Sequence, residues 1–181
     1  MKSFHSQDND PALPSLAAYQ DVLPNNYPSG APLIYICPKS QQLTMFIENK
    51  SVFQCPVSTA KNGLGEMEGS NRTPRGLHRI HQVIGDGEPQ GRIFSSRIPQ
   101  PSCWHEGDPA SGEDYILSRI IWLDGLEPGK NKGGSTDSKS RFIYIHGTNH
   151  EQDLGTPTSA GCIRLSNLSM ILVADTWACK N

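Results

Sequence analysis

The feature that most constrains the fold is a series of short apolar runs separated by turn-forming residues. From Leu33 onward the sequence reads LIYIC, LTMFI and SVFQCPVS, and the segments between these runs contain PKSQ and ENKS. Short runs rich in branched and aromatic residues, bounded by turn residues, are typical of β-strands. The pattern predicts three antiparallel strands that form a meander.

Further strands are predicted along the rest of the chain. LHRIHQVI follows the turn Thr73–Gly76, YILSRIIWL has a core-like composition, and RFIYIHG is a short β-rich run that ends near His146. The segment between Gly85 and Tyr115 is polar and contains several Gly and Pro residues. Two interpretations of it stay open: a lid over a site, or a surface loop whose Trp104 packs on the core.

The last segment, SNLSMILVADTWACKN, predicts one C-terminal helix. Ser166 or Asn167 is the candidate N-cap. The residues at helical spacing are Leu168, Ile171, Leu172 and Asp175. The predicted fold class is therefore mostly β with a C-terminal helix.

The length of 181 residues, with 35% hydrophobic and 19% charged residues, predicts one domain with a real core. Residues 1–30 are rich in Pro, Asn, Asp and Ser and show little apolar periodicity, apart from a candidate short helix over Leu16–Leu23. We interpret residues 1–30 as an N-terminal arm and residues 31–181 as the domain.

Charge and hydropathy exclude several classes of partner. The formal net charge is -2, without a basic stripe, so we expect no binding to nucleic acid. No segment approaches the roughly 18 consecutive apolar residues that a membrane span needs, and no signal peptide is visible.

The five cysteines form an odd set without metal-type spacing, which favours a reducing compartment. We expect a cytoplasmic protein, or a periplasmic one if the chain has been trimmed.

His146 and Cys162 lie sixteen positions apart, at a predicted strand end and in a following turn. A thiol is a weak nucleophile until it ionises, and a neighbouring imidazole can take up its proton. The N–H groups around Gly161 and Cys162 could form an oxyanion hole, and the Gly147 carbonyl could orient the imidazole. The alternative is a buried cysteine and a core histidine without catalytic roles.

The residues around this pair favour catalysis. His146 begins a His-Gly-Thr sequence that includes Thr148, and Cys162 lies within SAGCIRLSN, which also contains Ser159 and Arg164. These two motifs, IHGT and SAGCIRLSN, resemble the signature of the YkuD-type L,D-transpeptidase family. The resemblance extends to VSTAKNGLGEMEGSNRTPRG and covers about Leu33 to Trp177. One departure is Ala160, where many members have a histidine.

The resemblance implies a YkuD-like β sandwich or barrel and a cysteine-dependent acyl-transfer enzyme that needs no metal or organic cofactor. It implies that Cys162 is the nucleophile, that His146 is the general base and acid, and that Gly147 supplies the orienting carbonyl. Gly161 and Cys162 would then supply the oxyanion N–H groups. The other residues it assigns to the substrate and oxyanion region are Ser159, Arg164 and Thr148.

The substrates that the resemblance implies are peptidoglycan stem tetrapeptides, cut between the diamino acid and the terminal D-Ala; acylation by carbapenems is also implied. Release of the acyl-enzyme by water would make the protein an L,D-carboxypeptidase of peptidoglycan recycling, which we favour because no export signal is visible. Release by an amine would make it an L,D-transpeptidase. A third alternative is a non-catalytic peptidoglycan-binding module. In an enzyme, Cys162 is expected to be alkylated faster than the other four cysteines.

Overall fold

The computed structural model describes residues 27–28, 30–108 and 112–179, together with Leu16 and Leu23. The chain forms two compact units. The first comprises Thr44–Gln54 and the described residues up to Tyr35, and the second comprises Ile36–Leu43 and the residues from Cys55 onward. The candidate helix near residues 16–23 lies almost wholly outside the described residues. The boundary between arm and domain at residue 30 stays a prediction.

The first three strands match the three predicted apolar runs. They are β1 (Leu33–Cys37), β2 (Gln42–Ile47) and β3 (Lys50–Pro56), and they form a three-stranded sheet in that order. Glu48 and Asn49, between β2 and β3, have φ values of 50° and 63°. Positive φ at both central residues is the conformation of tight hairpin turns.

The second unit contains a six-stranded sheet. Its strands are β4 (His78–Ile84), β5 (Arg92–Ser95), β6 (Ile98–Cys103), β7 (Ile116–Gly125), β8 (Tyr144–Gly147) and β9 (Ile163–Leu165). The order is β6-β5-β7-β8-β9, and β4 pairs with β7. The pairs of β7 with β4, β5 and β8 are antiparallel, whereas β8 and β9 are parallel.

Strand β7 organises this sheet because it pairs with three other strands. Ile120 on β7 lies opposite His146 on β8, and Leu117 lies opposite Gly147. The register shifts between these two pairs, where Ser118 has a φ of 66°. Such a bulge bends a strand and redirects its side chains. Nearly all of β7 is buried, which explains its core-like sequence.

The segment from Gly85 to Tyr115 is not a plain loop, because it contains the β5–β6 hairpin. Strand β5 pairs with β7, and the backbone N–H of Trp104 donates to the Gly91 carbonyl at 2.8 Å. Sequence reasoning missed these strands because they are short and rich in polar residues and proline.

The predicted C-terminal helix is confirmed as α1, Asn167–Ala178, and the side chain of its N-cap, Ser166, accepts a hydrogen bond from the Ser169 N–H. With it, the predicted fold class, mostly β with a C-terminal helix, is confirmed. No helix within the described residues is long and apolar enough to cross a membrane.

The residues at helical spacing do not form the buried face of α1. Leu168 and Leu172 are 59% and 45% exposed. The buried positions are Asn167, Met170, Val173 and Ala174. The side-chain amide of Asn167 binds groups of the strand region, the Ser118 hydroxyl and the Thr148 carbonyl, and these bonds fix the rotation of the helix.

Truncation of Met170 is expected to destabilise the protein far more than truncation of Leu172. Met170 is fully buried, so Met170→Ala removes core contacts and leaves a cavity, at a cost of about 2–5 kcal/mol. Leu172→Ala changes an exposed position of the same helix and should cost about 0.5 kcal/mol or less. Urea denaturation of both variants measures the difference. Equal losses would contradict the burial pattern of α1.

Candidate active site

His146 lies in β8 and is almost fully buried, with 2% of its surface exposed. Its Nδ1 atom is 2.8 Å from the carbonyl oxygen of Gly147. A carbonyl can only accept, so this contact holds the proton on Nδ1 and leaves Nε2 as the nitrogen that can take up another. Burial lowers the pKa of His146 below its ordinary value, although the Gly147 carbonyl and the charge of Asp114 act in the opposite direction.

Cys162 directly precedes β9, and the parallel register places it beside the histidine. His146 is opposite Arg164 on β9. Because side chains alternate between the two faces of a strand, Cys162 falls on the same face as Arg164 and His146, one row away. Its Sγ atom is 3.4 Å from the Tyr144 N and 3.6 Å from the Phe142 carbonyl oxygen.

The surroundings of Cys162 favour the neutral thiol. The residue is partly exposed, and burial of the thiol raises the pKa of Cys162 to about 11. The N–H of Tyr144 and the charges of Arg164 and Arg141 lower the pKa, but by less. Burial thus favours the neutral form of both the thiol and the imidazole, and attack on a carbonyl by Cys162 would require a proton to leave Sγ.

Ser159 builds the turn that presents Cys162. Its Oγ donates to the Cys162 carbonyl at 2.6 Å and accepts from the Gly161 N–H at 3.2 Å. Gly161 has a φ of 133°, a conformation that favours glycine. The sequence predicts two oxyanion donors, the N–H groups of Gly161 and Cys162. The Gly161 N–H is already bound to Ser159. The Cys162 N–H has no hydrogen-bond partner within the described part of the chain.

Thr73 contributes to this turn, and sequence reasoning missed its role. Its Oγ1 donates to the Gly161 carbonyl at 2.9 Å and accepts from the Ala60 N–H at 2.9 Å. The Thr-Pro-x-Gly sequence predicts a turn at Thr73. The motif itself does not indicate that Thr73 forms a hydrogen bond with Gly161, 88 positions away.

Arg164 and Thr148 meet at Asp114, a residue that the sequence did not single out. Arg164 is 6% exposed, and its Nη2 lies 2.5 Å from Asp114 Oδ2. The Thr148 hydroxyl donates to the other carboxylate oxygen at 3.5 Å. Arg164 also donates to the Thr158 hydroxyl at 3.2 Å, whereas its buried Nε has no hydrogen-bond partner among the described residues. The buried guanidinium is thus neutralised by one carboxylate close to His146.

Gly147 lies where a side chain would not fit. A Cβ atom added there would come within 2.6 Å of Asn167 Oδ1 and 2.8 Å of the Leu117 carbonyl oxygen. Asn167 is 1% exposed and forms hydrogen bonds with Ser118 and Thr148, so a displacement of its side chain would break these bonds. The residue that orients His146 is therefore fixed by packing on the helix side of β8.

The described residues include no group of three His, Cys, Asp or Glu side chains placed to hold a metal ion. His78 binds the Ser138 hydroxyl at 2.8 Å and the Gly76 carbonyl at 3.0 Å. His81 contacts the Trp122 ring edge-on, with ring centroids 4.9 Å apart. These contacts give both histidines a structural role.

Comparison with known protein families matches residues 31–179 to the L,D-transpeptidase catalytic domain, YkuD. The chain belongs to this family. The predicted resemblance is confirmed, and so is the YkuD-like fold class. No curated protein matches the chain.

Solved structures of L,D-transpeptidases are also similar to this YkuD domain. One from Xylanimonas cellulosilytica is 19% identical, with 86% of this chain and 59% of that chain covered and a TM-score of 0.46. One from Mycobacterium smegmatis is 18% identical, with 80% and 53% covered and a TM-score of 0.41. L,D-transpeptidase 3 from Mycobacterium tuberculosis, with a faropenem-derived adduct, is 17% identical, with 75% and 52% covered and a TM-score of 0.42. The chain spans just over half the length of these proteins.

Replacement of Gly147 by alanine is expected to destabilise the domain by about 1–3 kcal/mol, because the new methyl group meets a backbone carbonyl and a fixed amide. Gly129→Ala is the control: Gly129 has a φ of 76° but open space around it, so only backbone strain of about 1 kcal/mol is added. Thermal unfolding measures both. A Gly147→Ala protein as stable as the parent would contradict the packing.

Alkylation of Cys162 without substrate is expected to be slow at pH 7, contrary to the expectation from the sequence. With a pKa of about 11 almost no thiolate is present at pH 7, and the rate should rise about tenfold per pH unit up to pH 9 and beyond. Mass spectrometry after iodoacetamide pulses follows each cysteine, with the exposed Cys179 as the internal control. Fast labelling of Cys162 with a plateau between pH 6 and 9 would show a preformed thiolate instead.

Proposed function

We propose that this YkuD domain cleaves the bond between the diamino acid and D-Ala in peptidoglycan stem tetrapeptides through a thioester on Cys162. The observation that carries the proposal is the placement of Cys162 and His146 on one face of the β8–β9 pair, with Nδ1 of His146 held by the Gly147 carbonyl. A non-catalytic binding module would need neither a nucleophile nor an oriented base.

In the first step the Cys162 sulfur forms a bond to the carbonyl carbon of the diamino acid while Nε2 of His146 takes the thiol proton. The C–N bond to D-Ala then breaks, and His146 returns the proton to the leaving amine. The Cys162 N–H faces the developing oxyanion. The Gly161 N–H would join it once the Ser159 hydroxyl releases it.

The remaining predicted residues act around this pair. Thr148 and Arg164 both contact Asp114, so the carboxylate and the guanidinium largely cancel each other beside the imidazole. Asp114 raises the pKa of His146 and Arg164 lowers it, so the two charges offset each other's effect on the imidazole. Ser159 acts by shaping the turn that carries the nucleophile.

Hydrolysis of the thioester is the release step that we favour, which makes the protein an L,D-carboxypeptidase of peptidoglycan recycling in the cytoplasm. The odd set of five cysteines, which suits a reducing compartment, supports this choice. His146 would activate the water as it activates the thiol. The second candidate is transpeptidation, in which an amine takes the acyl group; the matched family model is described as an L,D-transpeptidase catalytic domain. Acylation of Cys162 by carbapenems fits either candidate.

A product assay separates these candidates. A disaccharide tetrapeptide ending in D-Ala is incubated with the protein, with and without D-methionine, and the products are identified by mass spectrometry. The intact protein is expected to yield the tripeptide with little D-methionine incorporated. Cys162→Ala should yield no product, whereas the matched control Cys179→Ala should behave like the parent.

Products that contain D-methionine or a cross-link would make the protein a transpeptidase. Tripeptide formation by Cys162→Ala would remove the thioester from the mechanism, and the absence of any product would favour the binding module.

A further inference from the structure

Arg97 lies at the tip of the β5–β6 hairpin and contacts Tyr144, a neighbour of the proposed nucleophile. With Ser96 it forms the two-residue turn between the strands, with φ values of 69° and 50°. Its guanidinium carbon is 4.7 Å from the centre of the Trp122 ring and 4.9 Å from that of Phe142. Its Nη1 donates to the Tyr144 hydroxyl at 2.9 Å. Three aromatic side chains therefore fix the position of this cation.

Tyr144 connects Arg97 with Cys162. The backbone N–H of Tyr144 is the group 3.4 Å from Cys162 Sγ, and Cys162 packs against the buried cluster that contains the Tyr144 ring. Arg97 is thus one side chain away from the sulfur. A group bound to Arg97 would lie along the same aromatic surface as an acyl group on Cys162.

Three arginines surround this region, and they differ in their partners. Arg164 is paired with Asp114. Arg141 donates to the backbone carbonyls of Glu66 and Arg72. Within the described part of the chain, no carboxylate forms an ion pair with Arg97.

The hydrogen-bonding capacity of Arg97 also exceeds its use. A guanidinium has five N–H donors in a planar fork that matches a carboxylate, and the one contact of Arg97 to a described polar group uses Nη1. The side chain is half-buried against aromatic rings, where a charge-assisted hydrogen bond is stronger than in open water. A fixed cation of this kind, without an acidic partner among the described residues, suits an anionic ligand.

We propose that Arg97 binds a carboxylate of the peptide substrate and so determines which stem peptides are accepted. The proposal rests on the function proposed above. A tetrapeptide offers two such groups: the side-chain carboxylate of an unamidated diamino acid and the C-terminal carboxylate of D-Ala. Both present the same planar anion to the guanidinium, and amidation of either one abolishes its charge.

Equilibrium binding tests the proposal without relying on turnover. Cys162→Ala is titrated with three peptides: the tetrapeptide with both carboxylates free, the same peptide amidated on the diamino acid, and the same peptide amidated at its C-terminus. The fluorescence of Trp122, which Arg97 covers, and calorimetry report binding. The same titrations are made after Arg97→Gln, Arg97→Lys and, as the matched control, Arg79→Gln; Arg79 is an exposed arginine paired with Asp124.

The protein with Arg97 is expected to bind the free-acid peptide at least about tenfold more tightly than one of the two amides, which identifies the carboxylate. Arg97→Gln should weaken binding of the free-acid peptide and bring the ratio of acid to amide affinity close to one. Arg97→Lys should retain part of this preference for the acid. Arg79→Gln should leave the preference unchanged.

A ratio that survives Arg97→Gln, an equal loss for all three peptides, or binding of none of them would overturn the proposal; an equal loss would mean that Arg97 only holds the hairpin in place. If the acid is preferred but the protein with Cys162 intact forms no thioester, the catalytic proposal fails and the carboxylate site remains.

Discussion

The parallel pairing of β8 with β9 is the constraint on which the candidate site depends. It places the residue before β9, Cys162, one row from His146 on the same face. Neither strand is long, so their positions are fixed from outside: β8 by its pairing with β7, and the start of β9 by the turn that Ser159 and Thr73 hold. A shift of one residue in this register would send the thiol and the imidazole to opposite faces.

Burial controls the protonation of both groups. It raises the pKa of the Cys162 thiol to about 11 and lowers the pKa of His146, so it favours the neutral form of both groups. The Gly147 carbonyl favours protonation of His146, but this effect is smaller than that of burial. In the proposed mechanism, nucleophilic attack is then coupled to proton transfer from Sγ. A thiol that stays protonated until a carbonyl carbon is in place would be protected from oxidants and other electrophiles.

The sequence was sufficient for features that depend on local patterns. Runs such as LIYIC and the Ser166 cap specify their own strand or helix, and the motifs around His146 and Cys162 identify the family. Contacts between distant segments could not be predicted. Asp114 binds Arg164, which lies 50 positions later in the sequence. Asn167 binds the Thr148 carbonyl, and this contact sets the rotation of α1 so that Leu168 is exposed to solvent. The hydrogen bond from the Gly161 N–H to the Ser159 hydroxyl depends on the side-chain conformation of Ser159, which a sequence motif does not specify.

The most direct test of the central claim is the mass of the protein after a short incubation with stem tetrapeptide and an acid quench, followed by peptide mapping. We expect a covalent adduct equal in mass to the tripeptide portion minus water, located on the peptide that contains Cys162, and a large decrease in its amount after His146→Gln. An adduct on another cysteine, or turnover of the peptide without any adduct, would contradict the proposed thioester mechanism.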